Sequence, residues 1–203
     1  MTDNKSNKFF IVKLALILFA ITFIATLLLT VCNYITKDKI AELALQNAEK
    51  ARESVINGAT FEKIELSDEL LNEHKNSCGK IEAYKAEKDG EFAGYCISVG
   101  PTGYIGQISM IVGINPDLSF AGIKIVSMSE TPGLGAKAAN KEFYSQFSQN
   151  KKGTLTVVKN KKDLTENEIN AVTGATITSK TITNGANCAL KIAASLNEKE
   201  AEK

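Results

Sequence analysis

The spacing of apolar positions changes several times along the chain. Residues 14–35 contain no charged side chain and read Leu14-Ala-Leu-Ile-Leu-Phe-Ala-Ile-Thr-Phe-Ile-Ala-Thr-Leu-Leu-Leu-Thr-Val31 at their start. About 20 such residues in a helix cross the ~30 Å hydrocarbon core of a bilayer, so a transmembrane helix is expected here. A cleaved signal peptide would have a shorter apolar region and small residues at its cleavage site. Leu29-Thr30-Val31-Cys32 has the outline of a lipobox, but Val31 stands where a small residue is needed. The segment is therefore read as an uncleaved anchor. From Lys37 to Asn57 the strong helix formers Ala, Glu, Lys and Leu predominate, and Gly58 is a stop signal; this predicts a stalk helix leaving the membrane. Residues 59–79 are polar and irregular and read as a helical or loose connector.

Beyond residue 80 the period becomes two. The runs from Ile81 to Glu87 and from Phe92 to Val99 flank Asp89-Gly90, a hairpin signal. Ile108, Met110, Val112 and Ile114 share one face of a third run, Asn115-Pro116-Asp117 turns the chain, and a fourth run goes from Phe120 to Val126. Runs this closely spaced predict a mainly antiparallel sheet. Ala139, Phe143 and Phe147 recur at helical spacing and predict a short amphipathic helix over 136–149. A short strand is expected from Thr154 to Val158, and a last helix from Ser179 to Leu196 with Ile182, Ala186, Ala189 and Ala193 on one face. The expected organisation is a tail (1–13), a transmembrane helix (14–35), a stalk and connector (36–79), one α+β domain with helices packed on its sheet (80–197), and a charged tail (198–203).

Charge and ligand chemistry narrow the function. Lysine plus arginine number 24 against 23 acidic residues, so nothing favours nucleic acid, which needs a basic patch or stripe. Arg52 is the one arginine, which nearly excludes bidentate arginine clamps on phosphate. Cys32, Cys78, Cys96 and Cys188 include no C-x-x-C pair, and His74 is the one histidine; neither a zinc site nor an iron–sulfur cluster is expected. The cysteines read as small buried hydrophobes, and His74, within Asn72-Glu73-His74-Lys75, as solvated. Three of the cysteines fall in the domain, an odd number that cannot all pair within one chain.

Two loops are candidates for chemistry. In Glu130-Thr131-Pro132-Gly133-Leu134-Gly135, Pro-Gly favours a tight turn with Gly133 at positive φ, and Gly135 removes a second side chain. Backbone amides on such a loop can approach a ligand closely, although an ordinary strand-to-helix connection has the same composition. The second loop, Asn170-Ala171-Val172-Thr173-Gly174-Ala175-Thr176-Ile177-Thr178-Ser179, enters the last helix. Hydroxyls before a helix are common caps, and free N–H groups with the helix dipole also suit an anion. The hydroxyls of Thr173, Thr176, Thr178 and Ser179 exceed what one cap needs. Without the lysine of a P-loop a nucleoside triphosphate is not indicated. The residues by themselves point to a phosphate site and go no further.

Thr173-Gly174-Ala175-Thr176, three residues after Asn170, resembles the flavinylation motif of FMN-binding domains, commonly Asp-x-x-Ser/Thr-Gly-Ala-Thr. Glu130 to Gly135 resembles a second motif of that family, and Gly103-Tyr104-Ile105-Gly106 a third. With its tail, anchor, stalk and domain, the whole chain resembles the G subunits of Rnf ion-translocating ferredoxin:NAD⁺ oxidoreductases, and is similar to the C subunits of sodium-pumping NADH:quinone reductases. The resemblance implies FMN joined through its phosphate to the hydroxyl of Thr176, placed there by a flavin transferase using FAD. It implies cofactor contacts from Glu130, Thr131, Gly133, Leu134, Gly135, Thr173, Gly174 and Ala175. It also implies electron transfer among other redox and integral membrane subunits, with the domain on the extracytoplasmic side. In this chain Asn170 stands for the motif's usual Asp, and Met128 for a His that often precedes the Glu. Two other functions share these features: a stand-alone membrane-anchored flavoprotein electron carrier, and an assembly module without redox activity.

Overall fold

The computed structural model describes residues 3–148 and 151–201. These divide into two compact units, the first running to Gln46 and the second starting at Asn47.

Helix α1 (Asp3–Val55) is continuous, and it is long and apolar enough to cross a membrane. From Phe9 to Leu45 its large apolar side chains are exposed, a surface that suits lipid. Thr26 Oγ1 donates to the Thr22 carbonyl at 2.8 Å and Thr30 Oγ1 to the Thr26 carbonyl at 2.8 Å. These hydroxyls are thus satisfied inside the helix, as a hydrocarbon environment demands.

The second unit is built on an antiparallel sheet in the order β1 (Thr60–Ile64), β2 (Ile81–Lys88), β3 (Glu91–Val99), β4 (Ser109–Ile114), β5 (Phe120–Ser127). Its register aligns Ala83, Ile97, Val112 and Ile123 across neighbouring strands. Tyr95, Ile97, Val99, Met110, Val112 and Ile114 on this face are buried against α4 (Thr176–Ala201), which presents Ile182, Ala186, Ala189, Ile192 and Ala193. The opposite face carries Tyr84, Cys96 and Ile111 and packs against Ala51, Val55 and Ile56 at the end of α1. Gly113 permits this approach, since a Cβ there would collide with Val55 Cγ1. The Arg52 guanidinium lies 4.2 Å from the Tyr84 ring centroid, a cation–π contact beside the buried Cys96. Burial pushes the Cys96 thiol up to about 12, with Arg52 pulling more weakly the other way, so this thiol is inert.

Several elements differ from expectation. Residues 59–79 are not a loose connector. Thr60 to Ile64 form the edge strand β1, and Asp68–Cys78 form helix α2, which packs on α4. Acidic Asp68 and Glu69 at its start and Lys75 near its end complement the helix dipole, and Gly79 at φ 65° terminates it. The helix expected over 136–149 breaks at Asn140, whose backbone is extended; a 3₁₀ turn (Gly135–Ala139) precedes it and α3 (Lys141–Tyr144) follows, with residue 149 outside the described residues. Asn tends to leave helix interiors because its side chain competes for the backbone. Phe143 and Phe147 still enter the core together, as an edge-to-face pair. Strand β6 (Thr156–Val158) pairs in parallel with β7 (Glu168–Asn170), three residues too short to show a period.

Two of the cysteines read as buried hydrophobes are joined. Cys78, the last residue of α2, is disulfide-bonded to Cys188 in α4, with Cα atoms 6.1 Å apart, inside the ordinary range of about 4.4–6.8 Å. Cys32 is exposed on α1 rather than buried. The His74 side chain is only 12% exposed, because α2 lies against α4 and does not hang free.

Candidate functional site

The three glycine-containing segments, separated by up to 76 positions in sequence, meet at the start of α4. The first is a tight turn in which the Gly103 N–H donates to the Gly106 carbonyl at 2.8 Å. The second follows β5. Its turn closes on the Thr131 carbonyl, which accepts the N–H groups of Leu134 and Ala136, both at 3.2 Å, while Gly133 takes φ 78°. The third is the loop into α4. There Ser179 Oγ accepts the Val172 N–H at 3.0 Å and donates to the Ala175 carbonyl at 2.9 Å, tying the loop to the helix it precedes.

Glu130 joins the segments. Its side chain is buried, Oε2 accepts the Thr178 hydroxyl at 2.7 Å, and Oε1 accepts the Ile105 N–H at 3.1 Å. A Cβ on Gly135 would lie 2.7 Å from Glu130 Oε2 and 2.8 Å from Thr178 Oγ1, and one on Gly103 would collide with Glu130 Oε1. A Cβ on Gly174, at φ 78°, would lie 2.9 Å from Leu134 Cδ2, so the second and third loops touch there. Gly133 faces open space.

Helix α4 begins at Thr176, three residues earlier than its apolar periodicity indicates. This makes Thr176 a first-turn residue, where amides have no carbonyl partner within the helix and the dipole favours an anion. The hydroxyl-bearing residues of the loop are now distinguishable. Thr178 and Ser179 are buried and hydrogen-bonded, Thr176 is half-buried, and Thr173 and Gly174 are exposed. Glu130 can accept the Thr178 proton, but at 2% exposure that hydroxyl has no room for an approaching phosphorus atom.

Asn170 stands apart from Glu130. Its Nδ2 donates to the Lys161 carbonyl at 2.7 Å and its Oδ1 accepts the Lys161 N–H at 3.0 Å. An Asp could not make the first of these bonds, which gives the amide a structural reason to be here. Glu168, two residues earlier, is held down to about 2 by the Lys161 ammonium at 2.5 Å and the Thr165 N–H. A groove of about 490 Å³ opens alongside, lined by Lys137, Phe143, Asn170, Val172 and Thr173, within the ~300–1,000 Å³ of small-molecule sites.

Of the second unit's five exposed large apolar side chains among the described residues, four, Tyr104, Ile105, Leu134 and Ile177, lie on these converging segments, and the fifth, Leu164, does not. Sequence reasoning selects Leu134 but misses Ile177 and the role of Thr178. The surplus of hydroxyls before α4 is the signal for Thr178, but its partner lies 48 positions away.

The model of the FMN-binding domain matches residues 103–191, which contain all three loops, and that of the RnfG N-terminal region matches residues 1–65. The G subunit of the Na⁺-translocating ferredoxin:NAD⁺ oxidoreductase complex of Acetobacterium woodii is 37% identical over 92% of this chain and 93% of its own length. The chain belongs to this G-subunit family. Another relative, the G subunit of the proton-translocating ferredoxin:NAD⁺ oxidoreductase complex of Clostridium ljungdahlii, is 36% identical over 80% of each chain. The crystal structure of Shewanella oneidensis NqrC shares the fold, at TM-score 0.56 and 14% identity over 84% of this chain and all of that one. Together with α1, membership in the family makes this a single-pass membrane protein with an FMN-binding domain.

Gly135 offers a test of the loop junction. Gly135→Val should push Glu130 and Thr178 apart, costing about 1–3 kcal/mol of stability as overpacking does. It should also alter the absorption spectrum of bound flavin. Unchanged melting together with an unchanged flavin spectrum and redox titration would mean that the loop only connects β5 to the 3₁₀ turn.

Proposed function

We propose that this chain is the electron-carrying G subunit of a ferredoxin:NAD⁺ oxidoreductase complex and holds FMN covalently on Thr176. One observation carries the attachment residue: Thr176 opens α4 as a half-buried residue, while Thr178 two residues on is buried and tied to Glu130. The surroundings fit the cofactor. Gly133 leaves space at the loop surface, the start of α4 favours the one negative charge of a phosphodiester by about 0.3–1 kcal/mol, and Leu134 and Ile177 offer exposed apolar area for a ring.

Attachment needs no base from this chain. A flavin transferase would direct the Thr176 oxygen to the phosphorus of the FMN half of FAD. A Thr–O–P bond forms, the pyrophosphate bond breaks, AMP leaves, and the hydroxyl proton passes to the transferase. Bound FMN supplies one- and two-electron redox chemistry, and the protein supplies position and electrostatics. The covalent bond replaces binding from dilute solution with a fixed local concentration. Ion translocation would belong to the assembled complex, with this chain as one link in its electron path. Intact mass of the membrane-extracted protein, made with and without a transferase, tests the proposal: only the first should carry the added mass of FMN through denaturation.

The domain is proposed to lie outside the cytoplasm. The basic residues Lys5, Lys8 and Lys13 ahead of the apolar run of α1 favour insertion with the amino terminus inside, and the Cys78–Cys188 disulfide belongs to an oxidising compartment. A protease added to intact cells should cut the stalk at exposed lysines between Lys37 and Lys50 and release a flavin-bearing fragment. Release from inverted vesicles alone would reverse the orientation.

A further inference from the structure

We propose that Glu130 is a positioning residue: its carboxylate locks two loops to the first turn of α4, and this lock presents Thr176 for flavin attachment. The inference rests on the reading of Thr176 as the attachment residue and adds what holds it in place.

Three facts carry it. Glu130 is 6% exposed, and among the described residues no lysine or arginine pairs with it; its oxygens accept from the Thr178 hydroxyl and the Ile105 N–H. Both of the nearest glycines, Gly103 and Gly135, are sites where a Cβ would strike this carboxylate, so the loops close around the carboxylate itself. Helical geometry then links Thr178 to Thr176. Residues two apart lie about 200° apart around the axis, so fixing Thr178 inward turns Thr176 outward. The same clamp holds the stem of the Pro132–Leu134 turn, and with it the contact of Leu134 with Gly174.

The substitutions Glu130→Ala, Glu130→Gln and Thr178→Val in the full-length protein separate positioning from other roles. A glutamine can accept the Ile105 N–H through its oxygen and donate to Thr178 through its nitrogen, so it should rescue what alanine loses. The first readout is the rate of flavin gain by intact mass when the transferase is present. The second, on protein made without transferase, is the rate of tryptic cleavage after Lys137, just beyond the clamped turn. Glu130→Ala should slow flavinylation at least about tenfold and speed cleavage after Lys137, and Thr178→Val should change both in the same sense. Glu130→Gln should stay near wild type in both.

Wild-type rates in Glu130→Ala would overturn the proposal. So would Glu130→Gln failing as alanine does while melting like wild type, because charge and not positioning would then be the requirement. If Glu130→Ala does not fold, Thr178→Val decides, and a wild-type flavinylation rate in that variant overturns the proposal. Peptide mapping that finds the flavin elsewhere than Thr176 refutes the attachment residue alone, since the Lys137 readout is independent of it.

Discussion

Replacing Thr176 with alanine should abolish covalent flavin while leaving the fold intact. Thr176 is a half-buried residue at the start of α4, and among the described residues no hydrogen-bond partner holds its hydroxyl. Its loss should therefore cost no more than about 0.5 kcal/mol, as for surface substitutions away from special features. On a denaturing gel under ultraviolet light, wild type made with a transferase should give a fluorescent band at the chain's mass. The variant should give none, with an unchanged melting temperature before loading. A band in the variant would move the attachment, and the exposed Thr173 would be the next residue to replace. Buried Thr178 is a poor second choice, since flavin there would require the first turn of α4 to open.

The second large effect is expected at the disulfide. Cys78 and Cys188 are 110 positions apart and close a loop that contains the whole sheet except β1. Cross-linking so long a loop removes chain entropy from the unfolded state, worth roughly 3–5 kcal/mol in the chain-entropy model. Both cysteines lie in the core, so the bond also fixes α2 against α4. Replacing both with alanine should lower the melting temperature by about 10 °C, and a strong reductant should do the same to wild type. Equal melting of wild type with and without reductant would show that the pair contributes no stability. The buried thiol of Cys96 offers an internal control, because its high pKa keeps it from exchange.

Much of the architecture is legible in the order of residues. The charge-free run of residues 14–35, the hairpin at Asp89-Gly90 and the apolar stripe of α4 are local patterns, and each produces its element. Local signals fail where partners decide structure. Strand β1 has a weak pattern because it is an edge strand, exposed along much of its length. Strands β6 and β7 are defined by their pairing more than by their composition. The break at Asn140 sits inside a run whose phenylalanines keep helical spacing, so their burial survives without one continuous helix to carry them.

The same division runs through the site. Local order along the chain settles the ingredients: a membrane-length apolar helix, two glycine loops, and a run of hydroxyls ahead of a helix, because each depends on neighbours within a few positions. Resemblance to flavinylation motifs singles out Thr176 among those hydroxyls. Folding settles which loops meet, that Glu130 takes the hydroxyl of Thr178, and that Cys78 reaches Cys188. These are contacts between residues 48 and 110 positions apart, and they form only after the sheet and α4 have packed. Spacing along a chain fixes the period of an element; contact between distant elements is fixed by the core that brings them together.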